Sequence, residues 1–560
     1  MDVEKIRLEF VDDGKVIDVE KGTTLLEFSK EYQKLHDSEI MAAKLGSIIV
    51  ELTRPLDRGG KVKFIDLSSP DGIRIYQRGL LFILQIAVEE LFPNLHLKVL
   101  HSLANSLYCE LVDENGKIHT PTNEELEKIK EKMKEIVEKD HPIEKTTLYK
   151  DQARELFSKL GFHAKVKLLD FRKKKTIKVY TCCGHYNYFY GYMPPSTGKM
   201  KLFDLKVYDP GFRILHPTTS SPNAIPEYKE LRKFNAVFLE YGRWLSIMDI
   251  DHVGDLNRII ARGERAVADL ILISEALHEK KLSNIADEIK KKGSVRLVLI
   301  AGPSSSGKTT FAKRLSIQLK VNGYRPVAIS LDDYFVDREK TPRDENGNYD
   351  FEALEAIDVP LFNEHLLALF DGKEVEIPKY DFKQGKRIKG RKLKIDKDQI
   401  IIVEGIHGLN PRLTPQIPEE LKFKIYVSAL TQINFDDMNR MSTTDTRLIR
   451  RMVRDYKFRG HTALDTLRMW PSVRRGEERN IFPYQEEADA MFNSALVYEL
   501  PVLKIFAEQL LAQVPEDVEE YSEALRLLKV LDYFLPITNL EDIPRNSILR
   551  EFIGRSIFKY

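Results

Sequence analysis

The sequence predicts a multidomain α/β protein whose C-terminal half is organised around a parallel sheet, and three observations carry that expectation. Leu297–Ala301 is a continuous apolar run, the pattern of a strand buried on both faces. It leads directly into Gly302-Pro303-Ser304-Ser305-Ser306-Gly307-Lys308-Thr309, followed by helical sequence over 310–320. A second apolar run, 400–403, ends in Glu404-Gly405-Ile406-His407-Gly408. Strand, glycine-rich loop and helix in that order form a phosphate cradle: the glycines let backbone N–H groups face the anion, and the helix N-terminus adds its dipole. Gly302, Pro303, Ser304, Ser305, Ser306, Gly307, Lys308, Thr309 and Thr310 are therefore candidate contacts to a nucleoside triphosphate. Lys308 reaches the β/γ oxygens, and Thr309 is placed to ligate magnesium.

The chain has 560 residues, enough for three or four domains, since a single core rarely grows past about 250 residues. With 87 basic and 86 acidic side chains the net charge is +1, so no global field recruits nucleic acid or membrane. The three cysteines, Cys109, Cys182 and Cys183, argue for a reducing compartment. With no apolar leader and no apolar run of about 20 residues, the expectation is a soluble, cytoplasmic protein without a membrane contact.

In chain order, residues 5–10 and 16–19 alternate around the turn Asp12-Asp13-Gly14-Lys15, predicting a β-hairpin, with a helix from Thr24 and further short strands. The segments GTTLLEF, AAKLGSIIVELTRPL and KVKFIDL give residues 1–70 a pattern that resembles the TGS domain, a small β-grasp module. Residues 73–93 read as an amphipathic helix ending at Pro93. From there to about Tyr241 the sequence resembles the α+β editing domain of threonyl-tRNA synthetases, which gives a second domain over 71–242. In that family two histidines of the helix, with a later Cys and His, form a metal site. Here the helix positions are Arg78 and Phe82, Cys182 is kept, and Tyr186 stands where the second His belongs. One ligand of four cannot hold a metal, so a degraded site on a retained scaffold is expected, with any metal at Cys182 and His185 left open. The aromatic run Tyr186, Tyr188, Phe189, Tyr190, Tyr192 is either packing or a stacking platform for a base.

Helical periodicity over 257–292, with Ile259, Ile260, Val267, Leu270 and Ile271 on one side, predicts a helical connector assigned to 243–292. After the phosphate loop, the run 325–331 ends in Asp332-Asp333-Tyr334-Phe335, which places two carboxylates beside the loop at the C-terminal end of a parallel strand. Asp332 is the candidate base for an acceptor hydroxyl, Asp333 a candidate substrate contact, and Glu404 a second carboxylate aimed at magnesium, partly through water. In residues 446–461, Arg447, Arg450, Arg451, Arg454 and Arg459 recur mostly at helical spacing, predicting a lid that closes on the phosphates.

GPSSSGKTT, SLDDYF, the PKYDF segment at 378–382, IIVEGIHGL and TRLIRRMVRD together resemble the uridine kinase and phosphoribulokinase family. The resemblance implies a P-loop kinase domain, assigned to 293–510 and followed by a helical extension over 511–560, using ATP and Mg2+. It further implies Asp332 as catalytic base, Asp350 and Tyr380 as acceptor contacts, and Arg451 and Arg454 as lid arginines beside Lys308. Gly385, His461 and Met469 occupy the positions of that family's base-reading side chains, so the acceptor's identity stays open. The expected activity is phosphoryl transfer to a small acceptor, a nucleoside 5′-hydroxyl. The alternative is an RNA- or ribosome-associated ATPase switch in which the N-terminal half contacts tRNA or ribosome, helped by a basic patch over 165–178. Hydrolysis of mischarged aminoacyl-tRNA fails on the missing ligands, and the sequence leaves the oligomeric state undetermined.

Overall fold

The computed structural model describes residues 4–344, 347, 349–381, 384–396, 398–431 and 433–560. Lys5–Phe10 pairs antiparallel with Val16–Glu20 and parallel with Gly60–Asp66, inside a five-stranded mixed sheet completed by Ile40–Leu45 and Ile48–Val50. Alternation turns Ile6, Leu8 and Phe10 inward, where Phe10 stacks on Tyr32 of the helix Leu26–Tyr32. This is the β-grasp arrangement.

The helix Pro70–Leu91 begins at Ser69, whose hydroxyl accepts from Gly72 N, and Pro70 occupies the first turn, where its missing N–H costs nothing. Residues 79–88 are buried on every side, so this helix is a central pillar rather than a half-exposed amphipathic one. Its neighbours are an antiparallel sheet of Asp204–Tyr208, Gly211–Leu215, Ser106–Val112, His96–Leu103 and Ile118–His119, and a three-stranded sheet of His185–Asn187, Thr176–Cys182 and Glu144–Tyr149.

The connector differs from its expected single run. Helix Arg232–Ile247 crosses the boundary expected at 242, and the 257–292 pattern is divided into Val253–Ala261 and Glu264–Lys292. Gly263 between them sits at φ +99°, a conformation open to glycine, and periodicity alone does not register that break. Leu270, Ile271, Ile285 and Ile289 of the long helix join one core with Val298, Ile300 and Phe311.

The C-terminal half carries a five-stranded, wholly parallel sheet in the order Val327–Ser330, Ile401–Glu404, Leu297–Ala301, Lys422–Ser428, Ala490–Asn493. Beside it stands the hairpin Val375–Asp381/Lys386–Leu393; Phe382 of the 378–382 motif lies outside the described residues. Residues 511–560, expected to be helical, are so mainly over Tyr521–Leu531 and Arg550–Ile553. Pro536 and Pro544 fall in the stretch between them, where a helix would lose hydrogen bonds. Among the described residues no helix is long and apolar enough to cross a membrane.

The two halves meet at the segment 433–441. Lys165 donates to Asp436 at 2.7 Å with both side chains buried, and Asp436 also accepts from the backbone N of Met438 and Asn439. Asn434 donates to the carbonyls of Val99 and Leu100. Arg172 bonds Asp532 at 2.8 Å and lies over the Tyr533 ring. The basic patch read over 165–178 is thereby dismantled at one end: Lys165 and Arg172 are interior partners, and Lys173, Lys174, Lys175 and Lys178 remain exposed. Lys165→Ala leaves Asp436 buried without its cation and is expected to cost about 3–5 kcal/mol, read as a lowered unfolding midpoint; Lys165→Ala combined with Asp436→Asn should recover part of the loss.

Candidate nucleotide and acceptor site

The loop 302–307 is shaped by close approach and strain. A Cβ at Gly302 would stand 1.9 Å from Val427 O, and Gly307 lies at φ +82°. Ser305 adopts φ +59°, uncommon for a residue with a side chain. The hydroxyls of Ser305 and Ser306 are buried with no hydrogen-bond partner, which suits a loop built to receive an anion with many acceptor oxygens. Lys308 Nζ folds back onto the carbonyls of Gly302 and Pro303 at 2.8 and 3.1 Å. Its pKa is lowered by burial, against which the carboxylates of Glu404, Glu551, Asp332 and Glu352 act.

The strand expected over 325–331 ends at Ser330, and Asp332 and Asp333 stand on the 3-10 turn Leu331–Tyr334. Asp332 lies deep in the cleft yet open to the solvent filling it. Desolvation raises its pKa, Lys308 opposes that rise and Asp333 adds to it. Asp333 is also raised, by burial, while a backbone hydrogen bond from Tyr380 holds it down. Glu404 faces Thr309 Oγ1, which lies 3.4 Å from both carboxylate oxygens. Burial and Asp332 push Glu404 up to about 7. A hydroxyl and a carboxylate at the loop's exit form a hard oxygen set fitting magnesium, which takes few protein ligands and keeps water.

The arginine-rich stretch is the helix Thr443–Arg459, and it divides by partner rather than presenting one face. Arg447 and Arg450 are interior: Arg447 forms a two-pronged pair with Glu477, and Arg450 bonds Glu499 at 2.6 Å. Arg451, Arg454 and Arg459 converge on the buried Asp455, with Arg451 at 3.2 Å and Arg454 at 2.7 Å. Arg451 also donates to Ser304 Oγ at 2.7 Å, which places it on the phosphate loop. Trp470, Arg474 and Arg475 belong to the helix Ala463–Asn480, where Trp470 lies against Arg447 and Arg474 bonds Glu477 and Glu478.

Asp350 lies on the irregular segment before the short helix Leu354–Ala356, and its carboxylate accepts from Glu352 N at 3.1 Å. Tyr380 is buried against Phe335, with Arg338 as a hydrogen-bond partner. Gly385 turns the hairpin at φ +67°, and a Cβ there would come within 2.7 Å of Arg338 Nε. The turn is thus packed against Arg338. His461 follows the lid helix and bonds through its backbone N to Asp455 O, and Met469 is half-buried on the next helix.

Glu352 is among the carboxylates that escaped sequence reading. It is pushed up to about 7 by burial and by Glu477, with Arg451 and Lys308 opposing and Asp332 adding to the rise. It therefore shares a charge environment with the loop lysine, the candidate base and a lid arginine. In sequence it resembles any acidic loop residue, and its spacing from Asp350 is the one available signal.

At the positions of the synthetase metal ligands, Arg78 donates to Tyr192 O at 2.8 Å and Phe82 packs edge-on against Phe189. His185 donates through Nδ1 to Glu89 at 2.6 Å and faces Glu90. Cys182 is buried 3.7 Å from the Cys183 sulfur. Among the described residues no cluster of three His, Cys, Asp or Glu has metal-ligand geometry. Tyr188 bonds Tyr533, and Tyr190 packs on Phe435, so these aromatics are packing at the joint between the halves.

Residues 297–500 match the model of the Phosphoribulokinase / Uridine kinase family. That part of the chain is a P-loop kinase domain of this family. A separate stretch is similar to threonine–tRNA ligases: 31% identical over 206 residues to the Aquifex aeolicus protein, covering 36% of this chain and 31% of that one. The Thermotoga neapolitana protein is 29% identical over 195 residues, covering 34% and 29%. The chain thus spans less than a third of these curated relatives. A solved structure described as "Possible Uridine Kinase" from Bacillus stearothermophilus is 20% identical, with a TM-score of 0.25, covering 37% of this chain and 97% of that one.

The raised carboxyl of Glu404 has a defined pH consequence. Its folded pKa near 7 lies above the unfolded value, so its contribution to stability is complete below the ordinary carboxylate range and is lost as pH rises through 7. Glu404→Gln removes that loss, worth about 3 kcal/mol. In chelator, the variant's unfolding midpoint at pH 8 should exceed the parent's by a few degrees, and the two should coincide near pH 4. Parallel midpoint curves across that range would contradict the assignment.

Proposed function

We propose that this chain is a magnesium-dependent kinase that transfers the γ-phosphoryl group of ATP to a hydroxyl of a small acceptor, a nucleoside 5′-hydroxyl. The observation carrying this reading is the shared site of Lys308, Asp332, Glu404 and Arg451 at the mouth of the phosphate loop. The loop amides and Lys308 hold the triphosphate, and Arg451 and Arg454 bring positive charge from the lid helix. Thr309 and Glu404 would hold magnesium, which would supply charge neutralisation at the triphosphate. Asp332 orients the acceptor and takes its hydroxyl proton. The oxygen bonds to the γ-phosphorus, the bond to the β-bridging oxygen breaks, and ADP leaves. Glu352, Asp350 and Tyr380 line the acceptor side, and Arg338 over Gly385 replaces the family's base contact with a cation.

Asp332→Asn should lower kcat by about 10²–10⁴-fold while leaving ATP affinity within about threefold, measured by coupled ADP release and by calorimetry. Unchanged turnover sinks the assignment. The acceptor is tested by presenting nucleosides, phosphorylated sugars and tRNA to the protein with ATP and magnesium. The similarity to tRNA ligases and the exposed Lys173, Lys174, Lys175 and Lys178 favour a second reading as an RNA-linked ATPase switch. ADP release with tRNA alone, without a phosphorylated product, would select it.

A further inference from the structure

The phosphate loop has a neighbour that neither the family match nor the synthetase similarity accounts for, the segment 547–560. Glu551 Oε2 accepts from Thr310 N at 3.2 Å and from Thr310 Oγ1 at 2.6 Å, and the Tyr560 hydroxyl meets the same Thr310 hydroxyl at 2.8 Å. Lys313 donates to Lys559 O at 2.7 Å, one turn further along that helix. Ile548 presses on the loop so closely that a Cβ at Gly307 would stand 2.6 Å from its Cγ2. The segment is also fastened to the lid helix: Lys457 donates to Ile553 O at 2.5 Å, and Phe552 lies 5.0 Å from the Arg450 guanidinium.

Thr310 N is among the first free amides of the helix Lys308–Val321, the donors that a glycine-rich loop presents to phosphate. A carboxylate on them satisfies the helix terminus, and it also places a second anion where a triphosphate brings several. Glu551 is near enough to act on both Lys308 and Glu404. Phosphate oxygens and the Glu551 carboxylate cannot share these donors, and their like charge sets them against each other.

We propose that the segment 547–560 is a built-in competitor for nucleotide, with Glu551 standing in for a phosphate group and withdrawing when a triphosphate binds. The proposal rests on the reading of the loop as the nucleotide site. Apparent affinity is then the intrinsic affinity reduced by the fraction of molecules whose segment has withdrawn. Because Lys457 and Arg450 tie the segment to the lid helix, withdrawal also releases contacts on the arginine-bearing element.

The test is titration of magnesium-ATP into the full chain and into Glu551→Gln, Tyr560→Phe and Lys308→Ala, together with amide exchange over 547–560 with and without ATP. Glu551→Gln should bind ATP about tenfold more tightly and Tyr560→Phe about two- to threefold, and ATP should speed exchange in the segment of the parent protein. Unchanged or weaker binding by Glu551→Gln, or slower exchange over 547–560 with ATP, overturns the proposal. Should Glu551→Gln fail to fold, Tyr560→Phe and the exchange measurement decide it by the same criteria. Loss of ATP binding in Lys308→Ala upholds the nucleotide reading in either case, and absence of ATP binding in every chain removes both.

Discussion

The phosphate loop keeps its shape because of a buried ion pair contributed by two helices far away in sequence. Glu477 accepts from both ends of the Arg447 guanidinium, from Arg474 and from Ser304 N at 2.9 Å, while Arg447 donates to Ser304 O at 3.1 Å. Burial would raise the Glu477 carboxyl, and the two guanidiniums overcome it and hold it below its ordinary value. Arg450 adds a bond to Ser305 O and Ser494 one to Ser306 O. The carbonyls of Ser304, Ser305 and Ser306 are thereby held by these partners. These bonds offset the strain of Ser305 at positive φ. Without either member of the pair, a lone charge would remain in the interior and the loop would lose the geometry that makes it an anion cradle.

The same helix that supplies Arg447 is anchored through its first turn to the N-terminal half. Asp445, in its first turn, accepts two bonds from Arg526, which also pairs with Glu523, and Glu523 pairs with Arg74 on the central helix Pro70–Leu91. Just upstream, the segment 433–441 is locked by Lys165 and by the carbonyls of Val99 and Leu100. The synthetase-like half is thus part of the frame that sets where the lid helix begins. Arg78 and Phe82 of the central helix bond and pack against the aromatic run that faces the joint.

What the sequence disclosed follows from where the chemistry resides. The loop 302–309 was legible because backbone geometry demands glycine at fixed spacing, and the runs 297–301 and 401–403 because burial on both faces leaves no polar residue there. Glu352, Glu477, Asp455 and Glu551 were not, since an acidic residue on a helix or loop has the same local appearance whether it meets water or a buried arginine. The arginine helix shows the limit most directly: spacing placed its arginines in one row, and packing on two sides divided them between structural pairs and the cleft. Lys165 was misread for the same reason, being a lysine in a basic stretch whose partner lies at Asp436.

The acceptor side is where these constraints leave freedom. Donor chemistry is fixed by a loop that tolerates few substitutions, whereas the proposed acceptor wall draws on the segment 349–353, the hairpin turn at Gly385 and the helix Ala463–Asn480, the helix also holding the loop through Glu477. Gly385, at φ +67°, lies against the Arg338 guanidinium. A guanidinium offers only donors, so the acceptor group it meets must present oxygen or unprotonated nitrogen, or carry negative charge. A carboxylate such as Glu352, held near 7, meets the opposite requirement, accepting from a hydroxyl when ionised and donating when protonated. Under the proposed function, the two groups would favour an acceptor with a hydroxyl beside Asp332 and an electron-rich edge toward the hairpin.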